Sequence, residues 1–132
     1  MEYVDPAEAI AELKELSTQI DTVTLAARDG TVVASSLSGQ APSAVASAAR
    51  ELIAGADELR ADLGRDALAQ VQAATPEGSV FVVVDDARMA IATTGGDPTV
   101  GLVFYDLKTL LRQTADSSGT STAVSSEGNG DT

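Results

Sequence analysis

The sequence predicts one α+β domain, layered in the order α-β-β-α-β-β-β-α around a five-stranded, mainly antiparallel sheet. Three observations predict it. Helical periodicity occurs in three separate stretches, each with a proline near its start, at Pro6, Pro42 and Pro98. Alternating apolar and polar residues flank Asp29-Gly30 between the first two stretches. Between the last two, β-branched runs are divided by the turn sequences Thr75-Pro76-Glu77-Gly78 and Asp85-Asp86-Ala87-Arg88.

The first helix is expected from Pro6 to about Thr18. Asp5 can cap it, Pro6 suits its first position, and Glu8 completes a capping-box arrangement. Its apolar stripe reads Ala9, Leu13, Leu16 and Ile20. From Thr22 the period changes to two, and Asp29-Gly30 joins this strand to Thr31-Val32-Val33-Ala34 through a two-residue turn with positive φ at both central positions. The second helix runs from Pro42 to Leu63, with Gly64 as its stop. Val45, Ala48 or Ala49, Leu52, Ala56, Leu59 and Leu63 form its core stripe. A second face carries Ala44, Ala46, Ser47, Ala54 and Gly55, small and uncharged where Lys and Glu are usual. Close approach of another backbone accounts for such a face, and so does alanine-rich composition alone.

Residues 66–74 favour helix locally, but the alternation of Leu68, Gln70 and Gln72 with Ala69, Val71 and Ala73 reads as a third strand. Ser79 to Val84 is a strand apolar on both faces, hence central, and Met89 to Thr94 is the fifth. Asp97-Pro98 repeats the cap-and-proline start and opens a last helix with Val100, Val103 or Phe104, Leu107 and Leu111 on one side.

Twenty acidic and eight basic residues in 132 give a net charge of −12 and a pI near 4.1. Residues 116–132, three acids and no base with Val124 the one sizeable apolar side chain, are expected to form a disordered acidic and polar tail. Residues 1–115 form the domain and keep seventeen acids against eight bases, or −9. A salt-rich cytoplasm suits such a surface, and codon bias in a GC-rich genome produces the same composition. Either way the charge disfavours anionic partners. No basic stripe or set of stacking aromatics supports nucleic-acid binding. No leader and no apolar run of ~20 residues points to secretion or a membrane, so a cytoplasmic location is expected.

The residue inventory excludes much chemistry. With no histidine or cysteine, imidazole catalysis, thiol chemistry and zinc fingers are impossible. Neither Lys14 nor Lys108 sits in a phosphate-cradling loop, and Gly95-Gly96 lacks the third glycine of a dinucleotide site. Asp85-Asp86 reads as a turn rather than a cation ligand, and Ser35-Ser36 as strand-end capping. Arg50, Arg60, Arg65 and Arg88 are each candidates for an inserted arginine finger, and a surface ion pair explains each better. The expectation is a non-enzyme with no cofactor and no metal.

The chain resembles the roadblock / dynein light chain family over Ala7 to Thr114. The resemblance is carried by the hairpin DTVTLAARDGTVVASS, the alanine-rich second helix, the strands SVFVVV and MAIATT, and the closing helix with Gly101 inside it. It implies a roadblock-like, profilin-like architecture and a homodimer in which the second helices pack antiparallel and the third strands pair across a two-fold axis. On this chain that interface maps to Ala44, Ser47, Ala48, Glu51, Gly55, Leu68, Gln70 and Gln72. It further implies a non-enzymatic regulator or adaptor of a small Ras-like GTPase, with a structural scaffold or motor-complex subunit as the alternative. A small-ligand sensor is disfavoured, because few polar residues interrupt the apolar strands.

Overall fold

The computed structural model describes residues 4–62 and 70–115. Helix α1 (Pro6–Leu16) is followed by strands β1 (Ile20–Ala27) and β2 (Val32–Ser35), then helix α2 (Ala41–Asp62). Strands β3 (Gln70–Thr75), β4 (Gly78–Val84) and β5 (Arg88–Gly95) and helix α3 (Val100–Gln113) complete the order. The five strands lie in the order β2-β1-β5-β4-β3, and every neighbouring pair is antiparallel. Residues 63–69 and 116–132, including the expected helix stop at Gly64, Leu68, Arg65 and the tail, lie outside the described residues.

Local chemistry sets the element ends. The Glu8 backbone N–H donates to Asp5 Oδ2 at 3.3 Å, so Asp5 caps α1 as expected. The helix stops at Leu16 rather than Thr18 because Ser17 Oγ accepts the Gln19 and Ile20 N–H groups, each at 3.3 Å, and turns the chain into β1. The Asp29-Gly30 turn also differs from the expected form. Only Gly30 has positive φ, +98°, while its N–H returns to the Ala27 carbonyl and the Ala27 N–H reaches Thr31 O. The loop is therefore three residues long, a turn ending in a left-handed glycine. Asp29 Oδ1 accepts the Thr31 N–H at 2.9 Å and stabilises that alternative. At the last helix, Asp97 does not cap: it carries positive φ, +64°, and Thr99 occupies the N-cap position. The side-chain oxygen of Gln19 takes the Thr99 N–H instead, tying α3 to the end of α1.

The sheet carries a packed core on each face. Against α1 and α3 lie Val23, Leu25, Phe81, Val83, Ala90 and Ala92, joined by Ile10, Phe104 and Leu107. The Phe81 and Phe104 rings meet edge to face, centroids 5.1 Å apart. The other face packs Ala26, Val82, Met89 and Ile91 against Ala46, Ala49 and Ile53 of α2. Two helix stripes differ from expectation at particular positions. On α2 the alternatives Ala48 or Ala49 resolve to Ala49, with Val45 and Leu52 packed against the core, and on α1 Ala9 is buried as expected. On α2, Ala46 belongs to the core and not to the small second face, whereas Ala48 is exposed and Leu59 is 61% exposed. On α1, Ile10 is buried and Leu16 is 75% exposed. Alanine explains the first difference, since it is compatible with either environment and leaves the phase of a helix weakly marked. β5 is the central strand, with β4 one place nearer the edge.

Gly78 lies where β4 meets β5, and a Cβ there would run into the Thr94 carbonyl oxygen. At the far end of β5, Arg88 locks the last turn of α3. Its Nη1 donates to Thr114 O and Oγ1 at 3.1 and 2.9 Å, and its Nη2 to Leu111 O at 2.6 Å. Such charge-assisted bonds satisfy helix-end carbonyls and favour the negative pole of the helix.

Arg88→Ala is therefore expected to lower unfolding stability by about 2–3 kcal/mol in urea melts, and Arg88→Lys to recover only part of it. Asp29 offers a separate check. Hydrogen bonding from the Thr31 backbone, then from the Thr31 side chain, holds its carboxyl below the ordinary 3.8, with Arg50 adding attraction. A lowered folded value means stabilisation that is complete above 3.8 and lost as pH falls through the lowered value. In an NMR titration Asp29 should show a midpoint below 3.8, and Asp29→Asn should lessen the acid sensitivity of the hairpin.

Candidate functional site

Most side chains with chemical potential are engaged in holding the fold. Asp85 Oδ1 accepts the Ala87 and Arg88 N–H groups at 2.9 and 2.7 Å, so it closes the β4–β5 turn. Ser36 Oγ accepts the Val23 N–H at 2.9 Å, and Ser35 Oγ bonds Thr24 Oγ1 at 2.8 Å, so both serines serve the β1–β2 edge. Arg28 donates to the Asp85 carbonyl at 2.9 Å and pairs with Asp57 at 4.0 Å. Arg50 lies beside Gly30 and attracts the Asp29 carboxylate. Among the described residues no three His, Cys, Asp or Glu side chains group to hold a metal ion. Nor is any helix among them long and apolar enough to cross a membrane.

The distinctive feature is a surface. α2 packs over β1, β2 and β5. With the other side of the helix Ala44, Ser47, Ala48, Glu51 and Gly55 face outward and exposed, and Leu59 continues this side. Their spacing of three and four residues places them along one flank. Among the described residues, nothing beyond the helix's own adjoining backbone lies within 4 Å of where a Cβ on Gly55 would sit. A second helix could therefore come close along this flank, because small side chains keep the two backbones from being propped apart.

The sheet is open beside it. On the face that carries α2, β4 alternates Val80, Val82 and Val84, and Val80, paired with the exposed Ala73 of β3, is 36% exposed. β3 is itself an edge strand, so one side of its backbone has no neighbour among the described strands. The flank, the bare patch at Ala73 and Val80, and the free edge share one side of the molecule.

The expected interface residues divide on these coordinates of the fold. The five on α2 share the exposed flank. Gln70 and Gln72 are half-buried and pair with Val83 and Phe81, which places their side chains on the opposite face, toward α1 and α3. Gln72 Nε2 lies 3.5 Å from Ser79 Oγ. Those two positions can meet a neighbour through the strand edge, whereas Ala73, Val80 and Leu59, absent from the expected set, offer side chains to it. The phase of the β3 alternation was the available signal: Val71 and Ala73 are its small apolar positions.

No family model and no curated protein matches the sequence. Solved structures do match. A roadblock/LC7 domain from Streptomyces avermitilis superposes with a TM-score of 0.74 at 16% identity, covering 84% of this chain and 93% of that one. MglB of Myxococcus xanthus gives 0.71 at 14% identity, covering 83% and 84%. Profilin IB of Acanthamoeba castellanii gives 0.55 at 15% identity, covering 83% and 98%. Strand order, helix placement and these superpositions agree, and the chain has the roadblock/LC7-domain fold.

Proposed function

We propose that the protein is a non-enzymatic, homodimeric regulator or adaptor of a small Ras-like GTPase. The single observation that carries the dimer is the exposed small-residue flank of α2 lying beside a bare sheet face and an unpaired strand edge. Two copies related by a two-fold axis would lay α2 against α2 and β3 against β3, joining the sheets and covering Ala73, Val80 and Leu59. Edge-to-edge pairing also removes the hazard of an open strand.

The GTPase reading rests on the roadblock fold and on the family resemblance of the sequence. A joined sheet with two adjacent helices is a broad platform, which suits binding to another protein better than turnover of a substrate. The mechanism is selective binding. A platform that grips the partner's switch segments more tightly in one nucleotide state shifts that state's population, and equal affinity for both shifts nothing. No residue of this chain is assigned to the chemistry of hydrolysis, and Arg88 is engaged in holding α3.

Light scattering on the full chain should give twice the chain mass at micromolar concentration. Ala48→Arg and Gly55→Arg should each weaken dimerisation by at least about 2 kcal/mol, some thirtyfold, while leaving the melting curve of the protomer intact. A monomeric wild type removes the interface. For the partner, a small GTPase encoded beside this gene should be captured more tightly in its GTP form than in its GDP form, or the reverse. Equal capture of both forms overturns the regulatory reading in favour of a scaffold.

A further inference from the structure

We infer that the groove between α1 and α3, on the sheet face opposite α2, is a second docking site, and that it takes a basic amphipathic helix from a partner protein. The two helices run antiparallel: the Val4 N–H reaches Gln113 O at 3.0 Å at one end, and Gln19 holds Thr99 at the other. Between them lies a cavity of about 300 Å³, open along one side and floored by Leu13 and Leu110. Its walls include Leu16, 75% exposed, and Leu102, 49% exposed. Tyr105, 60% exposed, stands on the same helix as Leu102. Two leucines left in water at the mouth of one groove form an apolar seat that the domain's own core does not use.

Charge selects the occupant. Glu12 and Asp106 line the groove, and among the described residues no lysine or arginine does. Lys14 is turned to the Asp21 carbonyl, while Lys108 and Arg112 border a different hollow with Val83 and Leu111. The Arg112 Nη2 that donates to Thr109 Oγ1 at 3.0 Å does so from outside the groove lining. Asp106 is partly desolvated, which raises its carboxyl above the ordinary 3.8. A carboxylate partly withdrawn from water beside apolar walls gains from an incoming cation somewhat more than a fully exposed one does. The complement is a helix with leucine-like side chains at i, i+3 or i+4 and i+7, flanked by Lys or Arg. An anionic lipid surface is repelled by the same carboxylates. The acidic residues 116–132 carry no base and one sizeable apolar residue, and so lack both halves of the complement. A proline-rich segment needs an aromatic-lined groove, which Leu13, Leu16, Leu102 and Leu110 do not provide.

This site is independent of the α2 flank, and the test keeps them apart. The probe is a synthetic helix of about eighteen residues made of Leu, Ala and Lys in that spacing, titrated into the isotopically labelled full-length chain. Two controls replace every Lys by Glu or every Leu by Ser. The Lys–Leu helix should bind with a Kd of about 10–100 μM, weaken with added salt, and shift the amide signals of Leu13, Leu16, Leu102 and Asp106. Leu16→Ser with Leu102→Ser, and separately Glu12→Gln with Asp106→Asn, should each weaken it at least about tenfold. All four positions lie at or near the surface, and a thermal melt of each variant verifies the fold. Ala48→Arg, which disrupts the proposed dimer, should leave binding unchanged. Absence of binding overturns the proposal. So does equal binding of the Ser control, which would mark indiscriminate attraction to an acidic surface. A change in oligomeric mass on Leu16→Ser with Leu102→Ser also overturns it, because the occupant is then a second copy of this chain.

Discussion

The arrangement depends on β5 being acceptable to two different cores at once. It is the central strand, and in one short run its side chains alternate between the layers. Ala90 and Ala92 lie beneath α1 and α3, where Phe81, Phe104 and Leu107 supply the bulk. Met89 and Ile91 lie beneath α2, where Ala46, Ala49 and Ala26 supply almost none. Large residues on one partner meet small ones on the other in both layers, which is how close packing is reached with few aromatics. A one-residue slip of β5 would set bulk against bulk in one layer and leave a void in the other. The Arg88 bonds to the end of α3 resist such a slip at one end of the strand.

Alanine in the α2 layer has a second consequence. The buried side of α2 is small at Ala46 and Ala49, with Ile53 adding bulk farther along, and its exposed flank is small as well at Ala44, Ser47, Ala48 and Gly55. It covers β2, β1 and β5, and the same sheet face is open farther on, at Val80 and Ala73. The sheet therefore ends laterally in apolar surface of modest size next to β3, whose outer edge has no neighbour among the described strands. The opposite layer is nearly complete, because two helices share that face, and its opening is the short groove where they separate. The two proposed contacts, a second copy at one face and a helix at the other, rest on shape and charge rather than on a reactive side chain.

Elements were largely legible because their ends carry strong local chemistry. Asp5 before Pro6, Gly30 after Asp29, and the paired acids at Asp85 and Asp86 each announce a change of direction that the backbone obeys. The errors lie where two local solutions differ little in energy. Asp29-Gly30 supports either a two- or a three-residue turn, and the hydrogen bond from Thr31 decides. Asp97 before Pro98 has the form of a helix cap, but a side chain from Gln19, eighty positions away in sequence, satisfies the Thr99 N–H instead. Alanines leave the phase of α2 unmarked, and on α1 spacing alone assigns the exposed Leu16 to the core. Its exposure is what makes the groove visible.

What the sequence determined by itself was the order and kind of every element, the antiparallel hairpins, the acidic surface and the absence of histidine and thiol chemistry. Those follow from backbone preferences, period and composition, all of which act over a few residues or are simple counts. Tertiary structure alone decided which alanines of α2 are core and which are surface, on which face Gln70 and Gln72 stand, and that Leu16 and Leu102 share one acidic groove. Such facts depend on how far a helix is rotated when it settles on a sheet. That rotation is set by the summed packing of side chains distant in sequence, and small side chains leave it almost unmarked in the chain itself.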